Sequence, residues 1–480
     1  MNIVLIIIDT LRYDYIHAHG KLPWIKTPNM DRLAERSWVF DYTFIGSFPT
    51  IPHRTDVMTG KYGDPFHIWM PLRHDVMTFP ELLGRNGYCT QLIHDTPHLV
   101  NGGHNFDWPF HAWTPIRGAE VDRPWIDDSR EWPSNWKLDP VFDPLPRDKF
   151  NWSNIITYMR ANRKRKKHGD WNTAKLFLKA CEFLRDNKSR DNFFLWLDSF
   201  DPHEPWDVPP EYAVMYDNTK DYDGTIDPRA FAARYEDMSE PARKRHAAMY
   251  AAKVSWVDNW LGKFLDTLDE TGLAKRTAVI LTADHGTHVG ERGWGKKAPV
   301  WEQVARVPLM VSVPGAIGTG RCDAIAQPQD IFTTICGIAG VETPDGLPSN
   351  DVLATAVTRK PGPRNIALSG IALNRLNPRS RELCSAFSRE WSMEVGLTPE
   401  MSCLRRMGSL DDVTSQHQDV VQAMHAEALA ELGQRGIDPK LMAWIKSGGK
   451  NEFPWESNFH AGYPAPRNYK AYFARLYHGE

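Results

Sequence analysis

The chain opens on an unbroken apolar run, Ile3 to Ile8, that is mostly β-branched. Such a run predicts a strand buried on both faces, as in a parallel sheet covered by helices. Further strands are predicted at Tyr88–Ile93, Phe193–Leu197, Thr277–Thr282 and Pro308–Val313, with a brief one at Trp38–Phe40. Between them the apolar positions take helical spacing. Helices are expected at Thr27–Ala34 with Asn29 as cap, from Pro52 to about Met58, and at Thr78–Gly87, Ala174–Leu184 and Pro241–Gly272. Strands and helices alternate, which predicts an α/β chain with a large, mainly parallel sheet flanked by helices.

The polar residues that punctuate this pattern fall just past the strands. In open α/β sheets that is where the ligand crevice lies. Asp9 follows the first strand and suits either a metal or the cap of a following helix. His98 follows the strand at Tyr88–Ile93, His203 closes the run Asp198–His203, and Asp284-His285-Gly286 follows Thr277–Thr282. Asp9, Asp284 and His285 make an O,O,N set for one divalent metal, and the Thr50 hydroxyl offers a fourth ligand. Carboxylates alone suit Ca²⁺ or Mg²⁺; adding imidazole favours Mn²⁺ or Zn²⁺. Thr50, Pro52 and Arg54 add a hydroxyl, a helix-starting proline and a guanidinium at fixed offsets. A metal-activated Thr50 would attack an oxyanion ester, Arg54 and Lys297 would take the developing charge, and His203 or His98 would protonate the leaving group. The plain alternative for Thr50 is a helix cap.

Composition narrows the class. The 480 residues suffice for a large core, and the net charge of −3 with mixed signs argues against a nucleic-acid partner. The basic cluster Arg160–His168 then predicts a solvated helix face or turn. Six scattered Cys give neither a disulfide framework nor a zinc ribbon. The first apolar run is too short for a signal segment or a membrane span, so no membrane partner and a cytoplasmic location are expected. The 19 Trp are concentrated toward a Pro- and Trp-rich insertion, 101–152, expected to be irregular.

Taken together, these residues resemble the sulfatase branch of the alkaline phosphatase superfamily, and within it the phosphonate monoester hydrolase and phosphodiesterase group. The segment Thr50-Ile51-Pro52-His53-Arg54 matches the family's Cys-x-Pro-x-Arg signature except at its first position. Thr282–Gly286, Gly295–Lys297 and Arg306–Pro308 match its second metal strand, catalytic lysine and following strand, with the spacing favouring Lys297. Pro202–Pro205 resembles its histidine segment, and Asp9 its first metal ligand, with Thr10 in place of a second acid. His285 stands where sulfatases commonly carry Asn and resembles the phosphonate hydrolase pattern. Asp95 falls near the family's Lys position. The resemblance implies a metal-dependent hydrolase of a small anionic ester. A sulfatase needs Cys or Ser at the nucleophile position to make formylglycine, and Thr50 cannot become that aldehyde. A phosphate or phosphonate ester is therefore expected. The alternatives are a sulfuric ester hydrolase acting without formylglycine, and a silent protein that binds metal and oxyanion. The expected division is a catalytic domain, 1–365, a smaller C-terminal α+β subdomain, 366–436, and an aromatic tail, 437–480. The tail or the insertion is expected to form a homo-oligomer contact.

Overall fold

The computed structural model describes residues 1–100, 103–120, 122, 158, 161–217, 238–315, 318–371 and 382–454. The large sheet is built from β1 (Asn2–Ile8), β2 (Trp38–Thr43), β3 (Cys89–His94), β4 (Ala112–Pro115), β5 (Phe193–Ser199) and β6 (Thr277–Thr282). After a two-strand hairpin, β7 (His288–Val289) and β8 (Gly295–Lys296), it is completed by β9 (Leu309–Ser312) and β10 (Gly320–Ala326). The spatial order is β10-β2-β9-β6-β1-β5-β3-β4. β1 pairs in parallel with both β5 and β6, and β3 with β5. Only β9 runs against its neighbours, β2 and β6.

Alternation along β1 explains its uniform apolarity. Val4, Ile6 and Ile8 face a core shared with the helices Pro28–Glu35, Asn172–Asp186 and Glu240–Glu270. Ile3, Leu5 and Ile7 face the opposite core, under the helices Thr50–Thr59, Phe79–Arg85, Asp330–Ala339 and Val352–Thr358. Successive side chains point to opposite faces, so a central strand covered on both must be apolar throughout.

Three expectations are corrected. Asn29 lies inside its helix, after Pro28, and does not cap it; its side-chain amide donates to Asp258 Oδ2 at 3.0 Å. The insertion is not irregular throughout, because Ala112–Pro115 pairs with β3 and forms the sheet edge; its residues 123–152 lie outside those described. The basic cluster is exposed at Lys164, Lys166, Lys167 and His168 as expected, but the Arg165 side chain turns inward: it pairs with Asp207 and stacks over Trp171 at 5.2 Å.

A second, antiparallel sheet has the order β11 (Ala367–Ser369), β12 (Glu382–Phe387), β13 (Trp391–Gly396) and β14 (Cys403–Arg406). The helix Gln418–Gln434 packs on it through Val421, Ala428 and Leu432. Ile437, Leu441, Trp444 and Phe453, at the start of the expected tail, belong to this same small core. Residues 455–480 of that tail lie outside those described. Among the described residues no helix is long and apolar enough to cross a membrane.

Candidate active site

The helix Thr50–Thr59 begins two residues earlier than its proline implies, and all ten of its residues are buried. Gly60, at φ 64°, ends it in the left-handed conformation that glycine adopts without strain. The preceding loop is held by Asp56 of the same helix, which accepts from the Ser47 amide at 2.6 Å and from its hydroxyl at 2.9 Å. Thr50 thus stands at the helix N-terminus, where free N–H groups and the dipole favour an anion. Among the described residues none hydrogen-bonds its hydroxyl.

One turn on, Arg54 is wholly enclosed. Its Nε and Nη2 donate to the two oxygens of Asp198 at 3.0 and 2.8 Å. Nη1 donates to Asp284 Oδ2 and to the Thr50 carbonyl at 3.3 Å. Nη2 also lies 3.2 Å from Asp9 Oδ2. The guanidinium therefore faces carboxylates from three parallel strand ends. Asp198 is the partner that sequence reasoning missed; the strand at Phe193–Leu197 extends two residues further and carries it inward.

Asp9, Asp284 and His285 converge, with one ligand atom of each within 4.8 Å of the others. The His285 Nδ1 donates to the Gly286 carbonyl at 3.0 Å, which leaves Nε2 as a lone-pair donor. Burial pushes that imidazole down to about 3, so it is neutral. Both His285 Nε2 and Asp9 Oδ2 are buried without a hydrogen bond. Burial, then the charge of Asp284, pushes Asp9 well above the carboxylate range. Burial acts the same way on Asp284, but the Arg54 guanidinium paired with it outweighs burial and holds that group low. With Asp9 ionised, three carboxylates would face one guanidinium. That uncompensated charge and the orphaned lone pairs fit a divalent cation. Thr10, expected among the ligands, donates instead: its hydroxyl to Asp9 Oδ1 at 2.7 Å and its amide to Asp284 Oδ1 at 2.9 Å.

On the other side of the site, Lys297 Nζ donates to His203 Nε2 and lies 3.3 Å from Glu204 Oε2. Arg12 anchors the β7–β8 hairpin that presents it, through Glu291 at 2.6 Å and the Thr287 carbonyl at 3.1 Å. His203 Nδ1 donates to the Glu204 carbonyl at 2.7 Å, and its ring stacks on Phe200 at 4.1 Å. Burial holds its pKa below the usual histidine value. His98 lies across Phe200, with Nε2 donating to Glu120 Oε2 at 3.1 Å. Asp95 accepts from the Phe200 amide at 2.6 Å and supports this loop from beneath.

The large sheet, the small antiparallel sheet and an acid–imidazole pocket at the strand ends define the alkaline phosphatase-like architecture. The family described as Sulfatase matches residues 1–341, and the chain belongs to that family. It is 26% identical over 378 residues to an arylsulfatase of Clostridium perfringens, covering 72% of this chain and 76% of the relative. Its fold is similar to that of a phosphonate monoester hydrolase from Silicibacter pomeroyi (TM-score 0.70, 19% identity, 92% of this chain and 96% of that one). It is similar also to the phosphonate monoester hydrolase of Agrobacterium radiobacter (TM-score 0.67, 18% identity, 90% and 96%). Family membership makes the chain a hydrolase of esters.

Proposed function

We propose that the chain hydrolyses a phosphate or phosphonate ester, with Thr50 as the nucleophile. The observation that carries this is the Thr50 hydroxyl itself, unbonded among the described residues, at a helix N-terminus beside Arg54. Its Cβ methyl closes the formylglycine route. A divalent ion held by Asp9, Asp284 and His285 would supply Lewis acidity, lowering the pKa of a hydroxyl and drawing charge from the ester oxygen. The chain's own groups do the rest. The helix N-terminus and the Lys297 ammonium receive the non-bridging oxygens. Arg54 holds Asp9 and Asp284 in place, because its donors are already committed to them, to Asp198 and to the Thr50 carbonyl. Burial around Thr50 excludes bulk water, which strengthens every one of these interactions. Attack forms a Thr50 ester that water then resolves.

Turnover of 4-nitrophenyl phosphate, bis(4-nitrophenyl) phosphate, a phenylphosphonate ester and 4-nitrophenyl sulfate, with Mn²⁺, Zn²⁺, Ca²⁺ or Mg²⁺ added, tests this. A phosphorus ester should lead, Thr50→Ala should lose at least about a thousandfold in kcat, and Thr50→Ser should keep a measurable part. Unchanged turnover in Thr50→Ala removes the nucleophile assignment. A lead for the sulfate ester makes the chain a sulfuric ester hydrolase without formylglycine. Binding of metal and oxyanion with no turnover makes it a silent binding protein.

A further inference from the structure

Two histidines, His203 and His98, flank Phe200 beside the site, and their surroundings differ. His203 has both ring nitrogens engaged: Nδ1 gives its proton to the Glu204 carbonyl, and Nε2 accepts from Lys297. It has no proton to offer and serves to orient the Lys297 ammonium. His98 has the opposite arrangement. Its Nε2 donates to a carboxylate, Glu120, and its Nδ1 has no hydrogen-bond partner among the described residues. The ring is fixed by edge contacts with Trp69 at 5.1 Å and Phe200 at 6.0 Å. Trp69 is held in turn through its Nε1, which donates to His104 Nε2 at 3.2 Å. A carboxylate on one imidazole nitrogen stabilises the imidazolium and leaves the other N–H free to be given away.

Glu120 has a second distinguishing feature. It is a non-glycine residue at φ 32°, in the left-handed region that costs a residue with a Cβ. Strain of this kind persists where the surroundings hold a side chain to a task. Burial alone would raise its carboxyl, but the His98 hydrogen bond and the nearby Lys297 charge outweigh it and keep it below its usual range. The Trp69 and Phe200 rings against His98 are neutral.

We infer that His98 is the acid that protonates the leaving group, and that Glu120 is a positioning residue that orients the His98 ring. This rests on the proposed ester hydrolysis. As the Thr50 oxygen bonds to phosphorus, the bond from phosphorus to the leaving oxygen breaks and its electron pair stays on that oxygen. The leaving oxygen takes the proton from His98 Nδ1, and the Thr50 proton passes to water. When water later attacks the Thr50 ester, His98 takes its proton and is restored, and the departing Thr50 oxygen is protonated from solvent.

The test compares His98→Gln, Glu120→Gln and His203→Gln on two phosphate esters, one with a nitrophenol leaving group and one with an alkyl alcohol. A nitrophenolate departs without a proton, and an alkoxide does not. His98→Gln and Glu120→Gln should lose at least tenfold more kcat on the alkyl ester, and His203→Gln should lose equally on both. Equal losses in the first two variants, or a selective loss in His203→Gln, overturn the inference. A separate readout needs no turnover. With ¹⁵N-labelled histidine, the ring whose resonances are missing in His98→Gln should be the Nε2–H tautomer in the parent and lose that preference in Glu120→Gln. An unchanged tautomer overturns the role of Glu120, whether or not any ester is cleaved.

Discussion

At the scale of single residues, the site is decided by how buried charges are paired. Arg54 carries the load: without it Asp9, Asp198 and Asp284 would face one another with no counter-charge. Removing one partner of a buried pair costs about 3–5 kcal/mol. Arg54→Met should therefore lower the unfolding free energy from urea titration by that amount, and saturating Mn²⁺ should recover part of it. A variant as stable as the parent would show that the guanidinium is dispensable. Asp56 gives a pH-dependent counterpart. Burial pushes its carboxyl from 3.8 up to about 7, so the folded chain holds that proton more tightly than the unfolded one. Its contribution is whole below about pH 4 and is lost as pH rises toward 7, by up to about 1.4 kcal/mol per pH unit. Asp56→Asn should flatten the fall in stability across that window, measured by urea unfolding at each pH; parallel curves would refute it. The convergence of Asp9, Asp284 and His285 was legible in sequence because each directly follows a strand. Glu120 was not, since it sits in an insertion without periodicity, and its partner His98 is a long step away in the chain. Thr10 was legible as a neighbour of the site, but its donor role depends on a backbone φ of 64° that no pattern announces.

At the scale of elements, hydrophobic runs were informative where both faces of a strand are covered. β1, β3, β5 and β6 emerge within a residue or two of their expected ends for that reason. Direction was less legible. β9 has the same apolar run as its neighbours yet lies antiparallel, because the β7–β8 hairpin and a short helix, Glu302–Ala305, return the chain on the same side. That return brings backbone against the candidate metal ligand His285. The Gly286 amide donates to the Val304 carbonyl at 2.8 Å, and a Cβ on Gly286 would meet the Gln303 carbonyl oxygen at 2.1 Å. Gly286→Ala must push that turn away from His285. It should cost about 1–3 kcal/mol, as overpacking does, and weaken Mn²⁺ binding in calorimetry. Parent-like affinity would mean that the turn yields without moving the ligand.

At the scale of the whole molecule, the small subdomain is part of the site's support. Its β11 runs beside the loop that leads to Thr50. The Phe48 amide donates to the Gly370 carbonyl and the Gly370 amide to the Gly46 carbonyl, both at 3.0 Å, and the Ser369 hydroxyl donates to the Ile45 carbonyl. Phe44 stacks on Phe387 at 4.7 Å. Trp444, deep in the small core, keeps that subdomain folded. Trp444→Ala should cost about 3–5 kcal/mol there. Turnover should then be lost at lower urea than the helical signal of the large domain, and coincident loss would refute the coupling.

The contact between β11 and the Thr50 loop also bears on how the protein is made. The Ser369 hydroxyl and the Ile45 carbonyl that it binds are 324 residues apart in the chain. Contacts of such separation form late, and domains fold in order of synthesis. A nascent chain can thus complete most of the large sheet while the loop before Thr50 still lacks its backing. That backing forms only once the stretch carrying Ser369 and Gly370 has been made and has closed against Ile45–Phe48.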